Sequence, residues 1–247
     1  MLPLLEEIYE LGTVRDAGEN PRSAFPATLP REDGLLLSRV ATETDAKSVL
    51  EVGMAFGVST LFLFDSPGAD ERRVTSIDPF QPSWFDNIGV LNVARAGFAE
   101  RHECFEAPSH SAMPRLLDAG QQYDLIFLDG NHRFEHTLVD FHFAFRLAPV
   151  GGHILFHDVW LPSVRKVLTY ILRSDIAVEP APAFGSPAPS GLPPGLEQAR
   201  AMLRSPREPL TALTLGRHAF GNVAVLQKTA EQDETAFAQA WDHYPGC

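Results

Sequence analysis

The chain has 247 residues, 45% hydrophobic and 21% charged, enough to bury the core of one large domain or of a domain with an appendage. A formal net charge of −12 argues against a nucleic-acid partner, which needs a basic face, and no Lys/Arg run is present to attract an anionic membrane. Cys104 and Cys247 form neither a disulfide framework nor a zinc pattern, MLPLLEEIYEL lacks a basic leader region, and no apolar run is long enough to span a bilayer, so a cytoplasmic protein is expected.

In chain order, Leu4, Leu5, Ile8 and Leu11 recur at helical spacing and predict a helix over Leu2–Leu11. Residues 12–30 are rich in Gly, Pro and polar side chains and are expected as loop. A second amphipathic helix is expected from Arg31 to about Asp45, completing a helical cap over residues 1–45. Strand and helix then alternate. SVLEVG, RVTSIDPF, RHECFEA, YDLIFLDG and GGHILFHDV read as strands. Helices are expected from STLFLFDS, residues 84–98, Ser109–Leu117, Phe134–Leu147 and Val164–Leu172. GNVAVLQK is a last strand and ETAFAQAWDHY a terminal helix. Residues 180–218 break the rhythm with a Pro/Gly-rich insertion, a surface loop or a lid, with a short helix from Leu196 to Leu203. The alternation predicts one α/β domain, a mostly parallel sheet covered on both faces, whose ligands bind beyond the carboxyl ends of the strands.

That rim collects Glu51, Gly53, Asp78, Asp129, His157 and Asp158. The turn VLEVGMAFGVST lacks the Lys of a phosphate-binding P-loop. It also spaces its glycines as Gly53-x-x-x-Gly57, with Met54 in the gap, so it lacks the glycine that brings backbone against a pyrophosphate. Glu51 would repel phosphates but accept hydrogen bonds from an amino group. Asp78, ending the next strand, suits a pair of ribose hydroxyls. Together they predict a ligand built on adenosine that carries a cation instead of phosphates.

VLEVGMAFGVST, SIDP and YDLIFLDG, in this order, resemble the motifs of class I S-adenosylmethionine-dependent methyltransferases. The turn resembles the catechol O-methyltransferase type, and DGNHRFEHTLVDFHFAFRLAPVGGHILFHDV the branch of macrolide-sugar O-methyltransferases. The resemblance spans roughly Lys47–Val167 and the last strand. It implies a Rossmann-like doubly wound sheet of seven strands, S-adenosyl-L-methionine as cofactor, and a small-molecule hydroxyl, of a sugar or natural product, as acceptor. Glu51, Gly53, Met54, Gly57 and Ser59 would lie around the methionine part. Asp78 would hold the ribose, with Ser109 and Phe80 near the adenine and Asp129 close to the transferred methyl. Metal-dependent relatives hold Mg²⁺ at the positions of Asp129, His157 and Asp158. An imidazole suits that hard ion less well than a borderline one. His132, three residues after Asp129, matches a general base. Relatives often form homo-oligomers, so a second copy is an expected partner. A non-catalytic binding role, or methylation of an amine, is the alternative reading.

Overall fold

The computed structural model describes residues 1–181, 184 and 222–232. The insertion expected over 180–218 therefore lies almost wholly outside the described residues, as do the helix expected at Leu196–Leu203 and the terminal helix of ETAFAQAWDHY.

Helix α1 (Pro3–Leu11) leads into a hairpin of β1 (Thr13–Arg15) and β2 (Pro21–Ser23), followed by α2 (Arg31–Glu43). The hairpin replaces the loop expected there. Its strands are three residues each and show no apolar alternation, so periodicity cannot find them. The Asp16 carboxylate organises the connection by accepting from the backbone N–H of Gly18 and Asn20, at 2.8 and 2.9 Å.

The main sheet comprises β3 (Ser48–Val52), β4 (Arg73–Ile77), β5 (His102–Phe105), β6 (Leu125–Leu128), β7 (His153–Phe156), β8 (Val178–Pro180) and β9 (Ala224–Lys228). Its order is β5-β4-β3-β6-β7-β9-β8. The first five strands in this order run parallel, while β9 is antiparallel to both β7 and β8. The doubly wound, mostly parallel seven-stranded architecture expected from the sequence is the one observed. The short edge strand β8, ending in a proline, is the member that no sequence run announced.

The intervening helices are α3 (Val58–Phe64), α4 (Ile88–Arg95), α5 (Ser109–Asp118), α6 (Phe134–Leu147) and α7 (Pro162–Arg173). One face of the sheet packs on α2, α3 and α4 through Leu37, Val40, Leu63 and Val93. The other packs on α5, α6 and α7 through Met113, Phe141, Ala144, Val167 and Ile171. This double cover explains why β6 and β7 are buried at every position and read as continuous apolar runs. The N-terminal cap closes over α3 with Leu5, Ile8 and Val14 against Leu61 and Phe62. In α2, Gly34 lets the helix lie on the Phe62 ring, since a Cβ there would stand 2.2 Å from it. No helix among the described residues is long and apolar enough to cross a membrane.

Strand order reverses between β3 and β6, which creates a crevice at their carboxyl ends. At Gly53 the two strand ends touch: an added Cβ would stand 2.2 Å from the Asp129 carbonyl oxygen.

Candidate active site

The glycine turn after β3 is built from unusual backbone. Gly53 and Gly57 have φ of +89° and +76°, and Ala55 also lies at positive φ, +45°. Asp78 braces it from the end of β4. Its Oδ2 accepts from the backbone N–H of Met54 at 3.1 Å and Ala55 at 2.8 Å and from Gln81 Nε2 at 3.2 Å. Among the described residues, Oδ1 accepts only from Phe80 N–H, at 2.8 Å. A carboxylate oxygen has two lone pairs, so Oδ1 keeps acceptor capacity for a hydroxyl group. Gln81, which sequence reasoning did not single out, also ties its Nε2 to the Ala55 carbonyl at 2.7 Å.

Glu51 lies beneath the turn with no exposed surface. Its Oε2 accepts from Thr60 Oγ1 at 2.6 Å and Ser76 Oγ at 2.7 Å, while Oε1 is buried without a partner. Burial pushes its carboxyl up to about 7, against the opposing effect of the Ser59, Thr60 and Ser76 hydroxyls. Ser59 is buried inside the fold. Met54 is buried as well, and what it offers the turn is backbone. Phe80 is 40% exposed and stacks on Trp84, ring centroids 4.2 Å apart, as an aromatic step beside Asp78. Ser109 opens α5, and burial pushes the Asp140 carboxyl up to about 6 against the opposing effect of the Ser109 hydroxyl.

Across the switch point, the loop after β6 and the end of β7 bring Asp129, His132, His157 and Asp158 together. His132 Nε2 stands 3.2 Å from both Asp129 Oδ1 and Asp158 Oδ2. The hydrogen bond that Asp129 accepts from it raises the His132 pKa above its usual value, against partial burial. Asp158 sits at φ +54°, a strained position for a non-glycine residue, and its Oδ1 accepts from Trp160 Nε1 at 2.9 Å. Ser163 Oγ donates to the His132 carbonyl, fixing the loop to the first turn of α7.

His157 is placed differently from the expectation that it faces a metal with Asp129 and Asp158. Its ring is buried and both nitrogens are committed, Nδ1 to Asp129 Oδ1 at 2.9 Å and Nε2 to Asp33 Oδ2 at 3.1 Å. Burial opposes a charge on this ring, but Asp129, Asp33 and Asp158 outweigh it and push the imidazole up to about 10. An imidazolium has no lone pair to offer an ion. The group whose ligand atoms do converge is Asp129, His132 and Asp158, within 4.8 Å of one another. Burial raises the Asp129 pKa, but the His157 charge and bonds from both histidines overcome it, leaving the pKa low. Asp33 and Asn222 were missed. An acid in the first turn of a helix looks like ordinary dipole compensation, and Asn222 lies in GNVAVLQK, which reads only as a strand.

Residues 50–159 match the family model of a methyltransferase domain. That match covers somewhat less than half of the chain. Over 144 residues the chain is 34% identical to the catechol O-methyltransferase of Mycobacterium tuberculosis, covering 58% of this chain and 60% of that relative's length. Among solved structures, the O-methyltransferase from Bacillus cereus in complex with SAH superposes with a TM-score of 0.60 at 19% identity, covering 72% of this chain and 82% of that one. The O-methyltransferase TomG from Streptomyces achromogenes, involved in tomaymycin synthesis and solved with SAM, gives 0.61 at 16% identity, covering 92% and 90%. At these identities the two structures establish a shared fold.

Proposed function

We propose that the protein transfers the methyl group of S-adenosyl-L-methionine to a hydroxyl of a small molecule, with His132 as general base. The observation that carries this is the pairing of two half-sites at one switch point. The turn side fits the cofactor by its chemistry. Gly53 and Gly57 hold the turn tight against the backbone of Asp129 and Gly89, Glu51 Oε1 is a buried acceptor without a donor among the described residues, and Asp78 Oδ1 has a free lone pair. The cofactor supplies an activated sulfonium methyl.

This chain's own residues orient the acceptor and take its proton. His132 is half-buried on the rim, and Asp129 and Asp158 stabilise the positive charge it acquires on accepting a proton. The same carboxylates raise its proton affinity, making it a stronger base once neutral. The similarity to a protein named for catechol makes catechol a suitable first probe acceptor.

A second reading is favoured by the convergence of Asp129, His132 and Asp158. Two carboxylate oxygens and one imidazole nitrogen suit a borderline divalent cation better than Mg²⁺. A cation there would occupy His132 Nε2, so this reading and the base reading compete for one atom.

Calorimetry should show binding of S-adenosylmethionine and S-adenosylhomocysteine. His132→Ala should slow labelled-methyl transfer to catechol by about 10²–10⁴-fold, the usual worth of a positioned base, with unchanged affinity for S-adenosylhomocysteine. No heat with either compound rejects the cofactor, and an unchanged rate rejects the base.

A further inference from the structure

We propose that Asp33, on the N-terminal helix α2, is a positioning residue for the transfer step, acting through His157 on Asp129. This rests on the reading of the site given above. His157 and Asp33 are 5% and 4% exposed, so neither hydrogen bond competes with bulk water. The contact joins segments 124 residues apart, and Asn222 joins a third by donating its Nδ2 to the same Asp33 Oδ2 at 2.6 Å. Asn222 Nδ2 also comes within 3.0 Å of His157 Nε2. Both nitrogens aim their protons at Asp33 Oδ2, since an imidazole lone pair facing a buried carboxylate would be repelled.

At the other end of the ring, Asp129 Oδ1 accepts from His157 Nδ1 and also meets His132 Nε2. The orientation of the His157 ring therefore sets the orientation of the Asp129 carboxylate, and that sets His132. Asp33 fixes the ring from behind. Its own position is fixed because Gly34 presses α2 onto Phe62 and because Leu36, Leu37 and Val40 are buried. A buried carboxylate–imidazole–carboxylate line is a poor source of net stability, because desolvation offsets the attraction, so a role in geometry accounts for it better.

The test compares Asp33→Ala with Asp33→Asn in the full chain. The amide oxygen introduced by Asp33→Asn can still accept from His157 Nε2–H, whereas Asp33→Ala leaves that proton without a partner. With catechol and labelled cofactor, Asp33→Ala should lower kcat per folded molecule by up to roughly 100-fold, the scale of a misplacement of about 1 Å. Its affinity for S-adenosylhomocysteine should stay that of wild type, and Asp33→Asn should recover most of the rate. A merely structural contact would lower Tm without this split between kcat and cofactor affinity. Wild-type kcat in Asp33→Ala, or failure of Asp33→Asn to recover it, overturns the proposal.

Absence of any turnover by the wild type would count against the proposed function, and histidine NMR then decides the positioning role separately. The ring signals of His157 and His132 should shift together in Asp33→Ala and stay near their wild-type positions in Asp33→Asn. A His132 signal unmoved in Asp33→Ala overturns the proposal.

Discussion

Gly53→Ala tests whether the glycine turn is held against the reacting side of the site. The new Cβ would stand 2.2 Å from the Asp129 carbonyl oxygen, 2.7 Å from its carbonyl carbon and 3.0 Å from Gly130 Cα. All three are backbone atoms at the end of β6, so no side chain can swing away. Gly53 also has φ +89°, where an L-residue is strained by about 1–2 kcal/mol. Overpacking a well-filled position adds about 1–3 kcal/mol, giving a total loss of roughly 2–5 kcal/mol. Gly97 supplies the control, since its φ is +87° but nothing lies within 4 Å of its added Cβ. Gly97→Ala should therefore show the backbone cost alone. Urea unfolding of both variants separates the two contributions, and calorimetry with S-adenosylhomocysteine should show weakened binding only in Gly53→Ala. Equal destabilisation of the two variants, with wild-type cofactor affinity in both, would refute the claim that the strand ends are packed at this point.

Two further outcomes follow from the buried acid and from the histidine cluster. Because burial raises Glu51 from 4.5 to about 7, the folded chain holds a proton that the unfolded chain releases in this window. The Glu51 contribution to stability without cofactor should fall as pH rises from 4.5 to about 7, by roughly 3 kcal/mol in all. Glu51→Gln still accepts from Thr60 and Ser76 but does not ionise, so its urea midpoints should lack that slope; an equal slope in both proteins rejects the burial argument. Enzyme treated with EDTA should keep its full rate if His132 is the base, whereas a loss restored by Mn²⁺ would make His132 a ligand instead.

The fold was legible where the physics is local. YDLIFLDG and GGHILFHDV are apolar throughout because helices cover both faces of the sheet, and Phe134–Leu147 matches its helix residue for residue. The hairpin of residues 13–23 and strand β8 were not legible. Their three-residue strands take their place from pairing partners rather than from a pattern of their own. In the site, Gly53, Asp78 and Asp129 could be found because each ends a strand beside the switch point. Gln81 could not, because its bond to the Ala55 carbonyl belongs to a turn whose shape no short motif specifies.

His157 shows why ligand sets read from motifs are less secure than positions read from strand ends. An imidazole acts as metal ligand, base or cation according to what faces its two nitrogens. One of those neighbours, Asp129, lies on an adjacent strand and could be anticipated. The other, Asp33, comes from the cap, which carries none of the motifs. With a carboxylate on each side, the ring serves as a buried donor, and His132 becomes the histidine presented to the crevice. The three carboxylates Asp33, Asp129 and Asp158 then face two histidines, and they outnumber the positive charges even when both rings are protonated. A cluster with this sign would favour a cationic sulfonium nearby and, in the proposed reaction, would stabilise a proton taken up by His132. The N-terminal cap therefore contributes a carboxylate, Asp33, to the electrostatics of this cluster.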